Sequence, residues 1–138
     1  MRRALAAFGL LLSCSTPALA TRFTGLAISD AGGSATLIAR VHLVKSSLVG
    51  RIRCRSGSLA CLFRHARLSA LVDATTFPEN MTFGFTGGVR SRDVYCTITG
   101  IVTFTLRHQR HTVTALEQGR YGCTRRDGAV DAGTFSLR

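Results

Sequence analysis

The run Val94-Tyr95-Cys96-Thr97-Ile98-Thr99-Gly100-Ile101-Val102-Thr103-Phe104-Thr105-Leu106-Arg107 decides the fold class. Val94, Cys96, Ile98, Gly100, Val102, Phe104 and Leu106 recur at every second position, interleaved with Thr97, Thr99, Thr103, Thr105 and Arg107. Successive side chains of a strand point to opposite faces, so this period marks a sheet with one dry and one wet side. The threonines fit the wet side, because β-branched residues suit a pleated surface.

Working outward, the same period returns along the chain. Leu37, Ala39, Val41 and Leu43 alternate with Thr36, Arg40 and His42, and Leu48, Gly50, Ile52 and Cys54 alternate with Arg51 and Arg53. Ala66, Leu68, Ala70 and Val72 do so with Arg67, Ser69 and Asp73, and Met81, Phe83 and Phe85 with Thr82, Gly84 and Thr86. Between these runs, Asp30-Ala31-Gly32-Gly33, Arg55-Ser56-Gly57-Ser58, Thr86-Gly87-Gly88 and Arg126-Asp127-Gly128 carry turn chemistry. Phe77-Pro78-Glu79-Asn80 marks the longest connection. Helical periodicity is arguable only over Ser58 to Ala74. The expectation is an all-β fold: a single-domain antiparallel β-barrel or β-sandwich of about eight to ten strands. Gly50-Arg51-Ile52-Arg53-Cys54 and Gly119-Arg120-Tyr121-Gly122-Cys123 share a pattern at an offset of 69, which suggests a duplicated hairpin matching Leu37 to Leu106 and Val44 to Val113.

Residues 1–20 read as an address. Met1-Arg2-Arg3 is a short basic region, Ala4 to Leu12 an apolar run, and Ala18-Leu19-Ala20 a small-residue cut site, the layout of a secretory signal peptide. A run of nine apolar residues is too short to span a bilayer. Leu11-Leu12-Ser13-Cys14 offers a competing cut that would leave a lipoprotein anchored at Cys14, although Leu12, two before the Cys, departs from the usual small or β-branched choice. Cleavage after Ala20 leaves one all-β domain over 21–138, periplasmic or secreted from a bacterium. That domain is long enough to bury a real core.

Four of the five cysteines lie in this domain. In an exported chain they read as two disulfides. Cys54 and Cys61 flank a turn, which leaves Cys96 and Cys123 to join two later strands. A zinc site is disfavoured, because no Cys-x-x-Cys pair exists.

Charge is the other strong signal. Eighteen basic residues, all arginine except Lys45, stand against seven acidic ones in 138 residues, a net charge of +11. Removing residues 1–20 leaves 16 basic against 7 acidic side chains. Arg51, Arg53 and Arg55 sit at alternate positions and so share one strand face, a row of forked donors suited to repeated phosphates or carboxylates. Arg64, Arg67, Arg90, Arg92, Arg107, Arg110, Arg125 and Arg126 add charge nearby in sequence. The competing reading is a solvated face, with arginine preferred to lysine through the codon usage of a GC-rich genome.

Other chemistry has less support. His108 and His111 could share a metal, but no carboxylate or cysteine lies close by in sequence, and neither a metal nor a cofactor is expected. No Gly-x-Ser-x-Gly elbow, phosphate-binding loop, dinucleotide fingerprint or His-Glu-x-x-His motif is present, so a non-enzymatic role is expected. An outer-membrane barrel would carry aromatic girdles, and aromatic residues are only 7% of the chain. The expected partners are therefore anionic lipid headgroups, lipopolysaccharide or an acidic polymer; the alternatives are a periplasmic protein–protein module, an inhibitor or envelope accessory subunit meeting an acidic protein, and a carrier of a small ligand inside a barrel. Nucleic acid is disfavoured, because stacking platforms need aromatics interleaved with the charge.

Overall fold

A computed structural model describes residues 21–57, 66–73 and 81–138. Eight antiparallel strands form one sheet: β1 (Thr21–Ser29), β2 (Ser34–Val44), β3 (Ser47–Gly57), β4 (Ala66–Asp73), β5 (Thr82–Arg90), β6 (Val94–Arg107), β7 (Arg110–Arg125) and β8 (Val130–Leu137). No helix occurs among the described residues, and β4 is extended where a helix was arguable from sequence. Each strand pairs with its neighbours in sequence, and β8 returns to β1 through Gly25↔Leu137 to Ser29↔Gly133, so the strand order is closed. Closure leaves every strand with two partners and removes unpaired edges.

Alternation follows from this closure, because one face looks inward everywhere. Phe23, Leu37, Val41, Leu48, Val89, Val102, Val113, Leu116 and Leu137 are fully buried there. Glycine makes room at two inward points. The Phe85 ring lies over Gly100, 2.8 Å from where a Cβ would stand, and the Phe135 ring lies over Gly119 at 2.5 Å. These rings pack against each other with centroids 6.5 Å apart, an aromatic cover over strand glycines of the kind that pins register.

The turns are short. His108 and Gln109 (φ 47° and 62°) join β6 to β7 as a two-residue loop whose twist suits a hairpin. Gly32 and Gly33 at positive φ turn β1 into β2, and Gly128 does the same between β7 and β8, where Asp127 Oδ1 accepts from the Ala129 amide. Thr86-Gly87-Gly88, expected as a turn, instead lies inside β5. Gly87 is needed there for close approach: a Cβ would sit 2.3 Å from Ala70 Cα.

One disulfide is found among the described residues, where two were expected. Cys96 and Cys123 are buried, directly opposed on β6 and β7, and bonded to each other. Cys54 is half-buried against the core opposite Leu37. Its expected partner Cys61, the leader over 1–20 with Cys14, and the Phe77–Asn80 connection all lie outside the described residues.

The duplicated hairpin is not reproduced. An offset of 69 carries Lys45, in the β2–β3 turn, onto Thr114 in the middle of β7. Leu37 is 2% exposed but Leu106 is 59% exposed. Shared alternation produced the match.

Candidate anion-binding surface

Register brings arginines from five different strands into one row. Arg22 on β1 faces Arg40 on β2, Arg40 faces Arg51 on β3, Arg51 faces Arg67 on β4, and Arg67 faces Arg90 on β5. All five side chains are on the outer face and exposed. Neighbouring strands lie about 4.8 Å apart, so the five roots span roughly 19 Å across the sheet. Beyond Arg90 the row reaches Tyr95 on β6, and the Arg90 guanidinium lies 5.4 Å from that ring's centroid. This is within range for cation–π attraction.

Like charges placed directly opposite each other destabilise a sheet. No carboxylate among the described residues relieves them. The two ion pairs present there, Arg125–Asp127 and Arg138–Glu117, involve none of the five. The row is therefore a strip of forked donors that no carboxylate among the described residues receives.

Two shallow grooves follow the row. The first, of about 510 Å³, is lined by Arg22, Ile38, Arg40, Arg51, Ile52, Arg53, Ala66 and Arg67. The second, of about 320 Å³, is lined by Arg67, Ser69, Gly88, Arg90 and Tyr95. Arg67 belongs to both. Ile38 is only 5% exposed although alternation assigns it to the wet face. It pairs with Thr24 and Arg53, among arginines whose long stems can shelter apolar surface.

Of the arginines singled out by spacing, Arg51 is the centre of the row and Arg53 lines the first groove one step along β3. Arg55 differs. Leu37 pairs with Cys54 and Thr36 with Ser56, so Arg55 is the extra residue of a bulge, exposed but out of ladder register. Spacing along one strand missed Arg22 and Arg40, and it gave no reason to group Arg67 and Arg90 with Arg51. One signal was available: Arg40 and Arg51 are equidistant from the Lys45-Ser46 turn.

Two other clusters lie away from the row. At one end of the sheet Leu43, Val72, Phe83 and Phe104, with Lys45, Ser46 and His111, line an opening of about 230 Å³. There the His111 ring meets Phe104 edge-on, with centroids 6.3 Å apart. His111 and His108 belong to no cluster of three metal-ligating side chains among the described residues. Elsewhere Tyr121 donates to Asp131 Oδ2 at 3.1 Å, and Ser29 donates to Asp131 Oδ1 at 2.5 Å. Burial, followed by the charge of Asp131, pushes the Tyr121 phenol up to about 12. This network ties β1, β7 and β8 together.

No helix among the described residues is long and apolar enough to cross a membrane. Comparison with known protein families, curated proteins and solved structures returned no match.

Proposed function

We propose that this protein is an exported, non-enzymatic β-barrel module that binds an anionic polymer or envelope component through its arginine row. The observation that carries this reading is five mutually opposed arginines without a carboxylate partner among the described residues. Composition alone distributes arginine over a wet face, whereas here pairing register concentrates it in one line at some expense in stability. A row of forked donors meets repeated carboxylates or phosphates with two hydrogen bonds each.

The test compares variants of equal charge. Arg51→Thr/Arg67→Thr removes two members of the row, and Arg110→Thr/Arg120→Thr removes two exposed arginines outside it. Binding to an anionic polymer, polygalacturonate, is titrated over a salt series. The row variant is expected to lose about tenfold or more in affinity and to flatten the salt dependence by about two counterions, while the control stays near wild type. Equal losses in both variants reduce the row to a solvated face.

A second reading, a small-ligand carrier, is favoured only by the opening beside Phe83 and Phe104. An environment-sensitive apolar dye displaced by Phe104→Trp would support it.

A further inference from the structure

Given the anion-binding reading, on which this inference rests, the shear of the closed sheet decides which anion the row fits. Carried on from Arg90, the line of paired residues passes Tyr95, Thr124 and Val130, and the β8–β1 register returns it to β1 about ten residues beyond Arg22. An eight-stranded sheet closed with that offset has its strands tilted by about 40–45° from the barrel axis. The row therefore runs obliquely along the wall, and its five roots turn through only about a quarter of the circumference, with Arg51 at the middle of the arc. The outermost roots, Arg22 and Arg90, fall about 3 Å below a plane that touches the wall at Arg51. An arginine side chain is longer than that drop, so all five guanidinium groups reach one plane.

From this geometry we infer that the row seats the protein, lying on its side, on the headgroup layer of an anionic phospholipid bilayer. The barrel axis then runs along the membrane plane, and each guanidinium forks onto a lipid phosphate. Arg53, one step along β3, adds a further cation to the same face. The ion pairs Arg125–Asp127 and Arg138–Glu117 lie on β7 and just past the ends of β7 and β8, so the uncompensated charge of the row is one-sided. Basic residues clustered at an anionic leaflet add attraction roughly in proportion to their number, and fluid lipids can move to meet each fork.

Other flat or linear anions fit less well. A folded protein partner would need apolar anchors within the contact. Apart from Tyr95, the exposed large apolar side chains on the strands of the row, Leu26, Ile28, Val44 and Leu71, stand four or more residues along their strands from its arginines. A nucleic acid strand would need a platform of rings along its path, and Tyr95 is the one ring in the row, at its end beside Arg90. A polysaccharide chain is held best in a deep cleft, and both grooves beside the row are shallow.

The experiment measures cosedimentation of the purified protein with vesicles of one-third phosphatidylglycerol in phosphatidylcholine, and with phosphatidylcholine alone, at 0.15 M salt. Binding is expected only where phosphatidylglycerol is present. Arg22→Thr, Arg40→Thr, Arg51→Thr, Arg67→Thr and Arg90→Thr should each weaken it by a similar factor, about three- to fivefold. Arg120→Thr, on β7 across the barrel from Arg51, should stay within about twofold of wild type. Polygalacturonate or a single-stranded oligonucleotide, added at the same accessible negative charge as the vesicles, should leave most of the protein sedimented.

If Arg22→Thr and Arg90→Thr sediment as wild type does, the five arginines do not share a plane and the membrane-seating inference is overturned. Release by polygalacturonate overturns it in favour of an acidic polymer, and release by the oligonucleotide in favour of nucleic acid. Row-dependent binding to polygalacturonate without binding to vesicles also overturns it and leaves the anion-binding reading standing. If no anionic probe binds, or if Arg120→Thr weakens binding as much as Arg51→Thr does, the anion-binding reading itself falls.

Discussion

Replacing Arg51 with threonine should make the protein more stable, and the size of the gain follows from its neighbours. Arg51 is flanked directly by Arg40 and Arg67. At about 7 Å between guanidinium groups in water, each repulsion is worth about 0.6 kcal/mol before screening. A Debye length near 30 Å at 0.01 M salt leaves about 0.9 kcal/mol for the two pairs together, and one near 8 Å at 0.15 M leaves about 0.5 kcal/mol.

Arg120→Thr is the control, because it removes the same charge from an exposed strand position flanked by Thr99 and Thr134. Any gain from placing a β-branched residue on a strand is common to both variants. Urea denaturation is the assay, since guanidinium chloride is itself a salt and would screen the effect. With a urea slope of about 1–3 kcal/mol per M, Arg51→Thr should unfold about 0.3–0.9 M later than Arg120→Thr at low salt, and the gap should narrow by half at 0.15 M. Equal midpoints for the two variants would refute the opposed register, and so would a gap that widens with salt.

Three further outcomes are expected. A Cβ at Gly50 would stand 1.9 Å from the Arg40 carbonyl oxygen, so Gly50→Ala should lose about 3 kcal/mol or more in the same denaturation assay; a loss under about 1 kcal/mol would show that the strands can separate there. Cys96 and Cys123 are 27 residues apart, and on chain entropy Cys96→Ser/Cys123→Ser should lose about 3–4 kcal/mol, measured by thermal unfolding against the oxidised protein. The Tyr121 phenol, followed by absorbance at alkaline pH in Tyr95→Phe, should titrate near 12, against an ordinary value of 10.0. Because that value is raised, the unfolded chain releases its proton first. Stability is then undiminished below pH 10 and falls as pH rises toward 12, and a Tyr121 midpoint near 10 would contradict the buried contact with Asp131.

Much of the sheet was legible because burial on one face imposes a period of two. That constraint is local, and it assigned Val94 through Phe104 and Leu37 through Leu43 to their faces, but Leu106, read as dry at the end of the same run, is 59% exposed beside the β6–β7 turn. The β6–β7 turn falls where the alternation of Val94 to Arg107 ends, and His108-Gln109 reaches positive φ there without glycine. Where glycine served packing between strands, local reading failed. Gly87 and Gly88 looked like a turn but let β5 approach its neighbours. Ile38 falls on the wet face by alternation with Leu37 and Ala39, yet it is buried.

The sequence by itself determined that this chain is built of strands, which face most of their residues take, that it is strongly basic, and that Cys96 and Cys123 could meet. The row is another matter. Arg22, Arg40, Arg51, Arg67 and Arg90 come from five strands and fall at no common spacing along the chain. Pairing register aligns them, and register depends on turn lengths, bulges and closure acting across the whole sheet. A slip of one residue at any single pairing would break the line, because successive side chains alternate between faces. The charge was therefore visible in the composition, and only the tertiary structure decided that it forms a line.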